Sequence, residues 1–313
     1  MINYNSKIYI AGHNGMLGSS ILRVFKKKGY KRLITIDKNK LDLKNQLDVI
    51  KFFKKKKPDV VIIAAAKVGG IKANMQFPAN FISDNLQIQT NLINSSYIHK
   101  VKKLIFFGSS CIYPKNLKKP IKENQILTGV LETTNESYAI AKIAGIKMID
   151  SYNKQYKTNY LSLMPCNLFG PNDNYNLENS HFLPALIKKI YLASKKKDNK
   201  VVKLWGTGKP LREVLYVDEV AKACEFFLTK KVKKSLINIG SPIEMTIKDY
   251  ANHIKKNIDP NIKIKFDNNK KMDGVKRKKL NISLANKYGW KSKMNFKKVL
   301  KEIINDFRNS YNR

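Results

Sequence analysis

The sequence predicts an α/β protein, a Rossmann-type doubly wound parallel sheet with a smaller α/β C-terminal lobe. Three observations carry this. Short apolar runs at residues 7–11, Val60–Ala66, Leu104–Phe107 and Tyr160–Met164 alternate with helix-periodic segments. Glycines 12, 15 and 18 stand between the first run and the first helical pattern. A chain of 313 residues has length for about two domains. Residues 1–170 plus about 214–240 are expected to form a dinucleotide-binding domain, and about 171–213 plus 241–313 a substrate-binding one.

Taken in order, residues 7–11 read as the first strand. Gly12-x-x-Gly15-x-x-Gly18 then lets the backbone turn tightly and approach a pyrophosphate. A helix from about Leu17 to Lys28 would offer its free N–H groups and partial positive charge to that anion. The second strand, Leu33–Ile36, ends at Asp37, 19 residues after Gly18. A carboxylate there holds the adenosine ribose hydroxyls of NAD and repels the extra phosphate of NADP, which the adjacent Lys38 suits. Local chemistry leaves the cofactor open. His13 reads as part of the turn. A helix over about Gln46–Lys56 leads to a strand from Val60 to Ala66, whose small residues allow close cofactor approach. Lys67–Ile71 reads as a flexible loop, and residues 80–99 as a helix with His99 as its terminal cation.

The fourth strand ends in Gly108-Ser109-Ser110-Cys111-Ile112-Tyr113-Pro114. The helix after it carries Tyr138-x-x-x-Lys142 and runs to about Tyr156. Spacing i,i+4 sets phenol and ammonium on one face, where the cation is expected to lower the phenol from about 10 towards working pH. Alone, this spacing is common on surface helices. A preceding strand ending in Ser-Ser, and the glycine turn, give it weight.

The fifth strand runs into Pro165-Cys166-Asn167-Leu168. Beyond Gly170 come a polar loop, His181, a helix to about Lys196 and a strand over Val201–Trp205. Gly206-Thr207-Gly208-Lys209 imitates a phosphate loop, but Lys203 occupies the first glycine position and no Ser/Thr follows the lysine. Ile237–Gly240 is expected to return to the main sheet. A helix near 247–257, a strand near 262–266 and a helix near 296–311 complete the smaller lobe.

A net charge of +38 invites a nucleic-acid reading. The lysines are spread along the chain, and runs at 26–28, 54–57 and 195–197 sit where helices end and complement the macrodipole. No nucleic-acid partner is expected, although a positive field favours encounter with anionic nucleotides. Cys111, Cys166 and Cys224 form no Cys-x-x-Cys pair, so neither a disulfide frame nor a metal site is expected. Cys224 reads as core and His253 as surface. No run approaches the roughly 20 apolar residues of a membrane span. The N-terminus passes almost directly into a strand without room for a signal peptide, so a cytoplasmic protein is expected.

The three motifs in this order resemble the extended short-chain dehydrogenases that act on nucleotide sugars. Ala11–Met16 (AGHNGM), Ala64–Ile71 (AAAKVGGI), Gly108–Lys115 (GSSCIYPK), Tyr138–Lys147 (YAIAKIAGIK) and Asn179-Ser180-His181 narrow the resemblance to the GDP-L-fucose synthase family, over nearly the whole length. The resemblance implies conversion of GDP-4-keto-6-deoxy-D-mannose to GDP-L-fucose, by epimerisation at C3 and C5 and then NADPH reduction at C4. The same chemistry on another GDP-4-keto-deoxyhexose, such as the colitose precursor, is an alternative. So is a nucleotide-sugar 4-epimerase, which would not need Cys111 and His181.

By resemblance, Cys111 is the base and His181 the acid. Ser109 and Tyr138 hold the C4 oxygen, and Lys142 tunes Tyr138 and holds the nicotinamide ribose. NADP(H) would contact Gly12, Asn14, Gly15, Met16, Leu17, Gly18, Asp37, Lys38, Ala65, Ser109, Tyr138, Lys142, Pro165, Asn167, Leu168 and His181. The GDP-sugar would contact Lys189, Trp205, Arg212, Asp273 and Lys278. The chain departs from the family where Asn14 and Lys189 replace arginines, where Cys166 replaces a common threonine, and where Val275-Lys276 replaces Thr-Pro after Asp273-Gly274. A homodimer built on the helices near 80–99 and 137–156 is also implied.

Overall fold

The computed structural model describes residues 2–178, 180–270, 273 and 275–311; Asn179 and Gly274 lie outside the described residues. Strands are β1 (Ile8–Ala11), β2 (Leu33–Ile34), β3 (Val60–Ile63), β4 (Lys103–Phe107), β5 (Tyr160–Pro165), β6 (Asn167–Phe169), β7 (Val201–Leu204), β8 (Leu211–Tyr216), β9 (Leu236–Ile239), β10 (Glu244–Thr246), β11 (Lys263–Phe266) and β12 (Arg277–Lys278). Helices are α1 (Met16–Lys27), α2 (Gln46–Lys56), α3 (Ile71–Gln76), α4 (Pro78–Ile98), α5 (Glu136–Tyr156), α6 (Phe182–Ser194), α7 (Val217–Thr229), α8 (Ile247–Ile258), α9 (Ser283–Lys287) and α10 (Phe296–Tyr311).

Six strands form one parallel sheet in the order β2-β1-β3-β4-β5-β9. Strands β1, β3, β4, β5 and β9 are buried along their whole length, as near-continuous apolar runs must be when helices cover both faces. Strand order reverses at β1/β3. That reversal opens a crevice at the carboxyl ends of the strands.

Three expected elements differ. The second strand stops at Ile34 because it lies on the sheet edge and pairs only with β1. The third strand stops at Ile63, and Ala64–Ala66 leave the sheet towards the crevice. The loop expected over 67–71 is already helical at Ile71, where α3 begins after Gly70.

Two apolar clusters form the interior. The larger fills the space around the parallel sheet and includes Leu280, Ala285 and Trp290 from the C-terminal region. The smaller gathers α6, α8 and α10 against β7 and β8, with Phe296 meeting Phe169 and Tyr250. A second sheet joins β10, β8 and β12, with β6 also paired to β8. The chain thus passes from β5 straight through Cys166 into the second sheet.

A buried polar network anchors the turn after β4. The Tyr113 hydroxyl donates to Asn238 Oδ1 at 2.6 Å. Asn238 Nδ2 donates to the carbonyls of Ile121 and Asn281 at 2.9 and 3.2 Å. Cys111 is therefore held two residues from a side chain locked onto β9. Tyr113→Phe would leave Asn238 Oδ1 without its donor, and a loss of about 1–3 kcal/mol is expected in urea unfolding; an unchanged midpoint would contradict the anchoring role.

Candidate active site

The N-terminal turn forms the floor of the site. Gly12 takes a left-handed conformation (φ +84°). A Cβ at Gly12 would lie 2.6 Å from Ala65, and one at Gly18 would lie 2.0 Å from the Gly12 carbonyl oxygen. Only glycine lets the turn, the exit of β3 and α1 approach this closely. Gly15 precedes α1 without a side-chain acceptor, so the first-turn N–H groups are available to an anion.

Above this floor lies a cavity of about 530 Å³. Its lining includes Gly12, Asn14, Gly15, Met16, Leu17, Gly18, Lys38, Ala65, Ser109, Tyr138, Lys142, Pro165, Asn167, Leu168 and His181. A glycine cradle that no side chain can enter, continuous with a partly apolar trough, fits a dinucleotide. Asp37 is the exception among the residues read as cofactor contacts, because its carboxylate is turned to other partners. It accepts from Asn14 Nδ2 at 2.8 Å and faces His13 Nε2 at 3.4 Å, while Lys38 lines the cavity.

Ser109 joins the reactive groups. It is extended at the end of β4, and its hydroxyl accepts from the Cys111 N–H as the short 3₁₀ turn begins. Cys111 and Tyr138 both hydrogen-bond with it, and the Lys142 charge reaches Cys111. Burial pushes the Cys111 thiol up, opposed by the Lys278 charge, a hydrogen bond to Ser109 and the Lys142 charge. Burial, then the Cys111 charge, pushes the Tyr138 hydroxyl up, opposed by its hydrogen bond with Ser109. Burial brings the Lys142 ammonium down to about 8.

One expectation is thereby corrected. The Lys142 cation does not lower Tyr138: its Nζ donates to the Phe107 carbonyl at 2.9 Å and lies 5.9 Å from the Tyr138 ring centroid, and burial dominates. Nor does Cys111 sit in surroundings that ready its thiolate. His181 precedes α6 and is exposed where it lines the cavity, and partial desolvation by the surrounding protein lowers its pKa.

The five residues read as sugar contacts lie outside the lining of this cavity. Lys189 stacks its ammonium over Trp205 at 4.9 Å, and Trp205 leaves 69% of its surface exposed. Arg212 donates to the carbonyls of Val275 and Asp273 at 2.7 and 3.3 Å. Asp273 is engaged by Thr207, accepting from its N–H at 2.7 Å and its hydroxyl at 2.8 Å, so it fixes the turn through Gly206 and Gly208. Lys278 is the link between the two sides: its charge acts on Cys111, and Arg212 acts on it.

Sequence reasoning missed part of the lining. Asp42, Lys44, Lys67 and Asp84 contribute to it, and Asp84 holds Lys67 at 3.1 Å and Lys44 at 3.7 Å. No motif marks them; only the Lys67 position fell within a quoted stretch. Gly18→Ala is expected to weaken NADPH binding at least tenfold by fluorescence titration while far-ultraviolet dichroism is retained, since its Cβ has no room beside the Gly12 carbonyl. Unchanged affinity would remove the turn from the site.

Residues 8–240 match the model of the NAD dependent epimerase/dehydratase family. The chain is 47% identical over 302 residues to GDP-L-fucose synthase 1 of Arabidopsis thaliana, covering 96% of this chain and 93% of the relative. It is 43% identical to GDP-L-fucose synthase of Escherichia coli, covering 91% of each. A solved GDP-L-fucose synthetase from Naegleria fowleri bound to NADP superposes with a TM-score of 0.90 at 27% identity, covering all of this chain and 97% of that one. The chain belongs to the NAD dependent epimerase/dehydratase family and, within it, to the group that contains the GDP-L-fucose synthases.

Proposed function

We propose that this chain converts GDP-4-keto-6-deoxy-D-mannose to GDP-L-fucose, epimerising C3 and C5 and then reducing C4 with NADPH. One observation supports it above the rest. Cys111 shares Ser109 with Tyr138 and feels the Lys142 charge on the cofactor side, while feeling the Lys278 charge from the other side. A thiol between a dinucleotide cavity and a cationic wall is what an epimerase-reductase needs and a simple 4-epimerase does not. The names of the 47% and 43% identical relatives support the same substrate.

The chain's own residues then act as follows. Ser109 and Tyr138 donate to the C4 oxygen and stabilise the enolate charge that forms when a neighbouring proton leaves. Cys111 removes that proton and His181 returns one from the opposite face. Thiolate and imidazolium must coexist for this, although burial favours the neutral form of each. The reactive fraction is therefore small, and its pH profile belongs to the pair. NADPH supplies the hydride that arrives at C4, and Tyr138 gives that oxygen its proton. Lys142, held by Phe107, orients the phenol and the nicotinamide ribose.

Gly12, Gly15 and Gly18 would cradle the pyrophosphate. Lys38 in the cavity wall, with Asp37 engaged by Asn14 and His13, favours NADP over NAD. Lys189 with Trp205, and Arg212 with Lys278, would receive the GDP-sugar, the former as apolar wall and point charge, the latter as diphosphate clamp. The larger core carries the nucleotide-binding part and the smaller the sugar-binding part. Among the described residues no helix is long and apolar enough to cross a membrane, and a freely diffusing nucleotide substrate suits a cytoplasmic setting.

Cys111→Ser should abolish solvent deuterium uptake at C3 and C5 while NADPH oxidation by the ketosugar persists. Undiminished uptake would reject the thiol as base. Helices α4 and α5, packed together, leave Tyr97, Ile98, Ile140 and Tyr156 exposed, an apolar face suited to a second copy. Light scattering at micromolar concentration should give twice the 36.0 kDa chain mass, and a monomeric mass would count against the dimer.

A further inference from the structure

We propose that Glu213 is a positioning residue that fixes the cationic wall of the sugar site against the Cys111 side, and that it does so in its ionised form. The inference rests on the nucleotide-sugar reading given above and extends it to a residue that touches neither ligand.

Glu213 lies in β8 and is fully buried. One carboxylate oxygen accepts the Ser241 N–H at 2.6 Å, the other the Leu280 N–H at 2.8 Å. These two donors belong to separate segments. Ser241 follows β9 of the main sheet, and Leu280 stands two residues beyond Lys278 in β12. The fit is close, since a Cβ at Gly240 would lie 2.3 Å from the same carboxylate. The Glu213 carbonyl accepts Asn167 Nδ2 at 3.2 Å, and Asn167 lines the cofactor cavity. Its chain neighbour Arg212 pairs in register with Lys278. One side chain thus ties the main sheet to the strand pair that presents both cations.

The surrounding charges set when this tie holds. Burial raises the Glu213 carboxyl to about 7, opposed by the two backbone N–H groups and Lys279, and reinforced by Glu244. Glu244 is itself held by Arg277 at 2.8 and 2.9 Å. The Cys166 thiol and Tyr250 phenol face the same carboxylate and are both pushed up, burial first, so both stay protonated and neutral beside it. Arg212, the chain neighbour of Glu213, is directed to Val275 and Asp273 instead.

An ionised carboxylate accepts at both oxygens, whereas the protonated form turns an O–H towards one of two N–H donors and must release it. Release at Leu280 loosens the strand end that carries Lys278. Stability runs the other way. Because the folded-state pKa is raised above the ordinary 4.5, the unfolded chain loses its proton first, and this group's contribution to stability falls as pH rises from about 4.5 to about 7. Sugar-nucleotide affinity should rise while that contribution falls, a divergence that a residue serving stability alone would not produce.

The probe is GDP-mannose, which lacks the ketone and whose diphosphate does not titrate near neutrality. Calorimetry with the full chain at about pH 6 and about pH 8 brackets the Glu213 value of about 7. Affinity is expected to be about tenfold weaker at the lower pH, the scale of one charge-assisted hydrogen bond. Glu213→Gln should bind at the weak level at both pH values, with NADPH affinity unchanged. Equal affinities in the unmodified chain, or a glutamine variant that keeps the pH dependence, would overturn the proposal. Should the variant not fold, amide exchange in the unmodified chain decides. Corrected for chemical exchange, protection at Leu280 should drop at the lower pH while Ile239 in β9 is unaffected, and constant protection at Leu280 would reject the idea. Absence of GDP-mannose binding at every pH would instead sink the nucleotide-sugar reading, and this inference with it.

Discussion

Cys111 and Tyr138 converge on the Ser109 hydroxyl, with the Lys142 ammonium held nearby on the Phe107 carbonyl, in surroundings that solvate charge poorly, and this desolvation governs what the site can do. Thiol and phenol are pushed up and the amine is brought down, so each is driven towards its neutral form. Bringing charges into such a medium is costly unless they are paired. The resting site therefore holds its protons. On the function proposed above, charge develops together with a bound ketosugar, whose enolate the serine and tyrosine hydroxyls would stabilise. Lys278, reaching in from the second sheet, is the first opposing charge that Cys111 meets.

The fold makes that convergence possible through close backbone approach. The parallel sheet delivers the ends of β1, β3, β4 and β5 to one rim, and the glycine turn is stacked against Ala65 with no room for a side chain. Gly145 lets α5 seat against β4 and α4, where a Cβ would meet Phe106 at 2.7 Å and Gln89 at 2.9 Å. Gln89 in turn donates to the Ala141 carbonyl at 2.6 Å. Those contacts set the depth at which Tyr138 and Lys142 enter the site. Tyr113, Asn238 and Glu213 do the equivalent work on the other side, joining the Cys111 turn and the Lys278 strand to β9 and its following loop.

The parallel sheet was legible because buried strands write themselves as apolar runs, and because Gly12, Gly15 and Gly18 announce a turn that only glycine can make. Tyr138 and Lys142 were legible as a pair from their one-turn spacing. Their protonation was not, because spacing reports proximity and says nothing about burial. The Lys142 ammonium also bonds the Phe107 carbonyl, a partner 35 residues away in sequence. Asp37 stood at the expected place for a ribose contact, yet its partners Asn14 and His13 come from across the turn. The role of Asp84 depends on two lysines from different loops, and that of Glu213 on two backbone amides; pairings of this kind leave no local pattern. The edge strand β2 and helix α3 were misjudged for the related reason that β propensity and loop composition do not reveal how many neighbours a segment has.

The claim that the Cys111 thiol rests protonated is tested most directly by following thiolate absorbance as the difference between the protein and its Cys111→Ser variant from about pH 6 to about pH 10, without substrate. The account expects no thiolate below the ordinary thiol value of about 9, because burial outweighs Lys278 and Lys142. A thiolate already formed near about pH 6 to 7 would contradict it, and would mean that the cations, not desolvation, control the base.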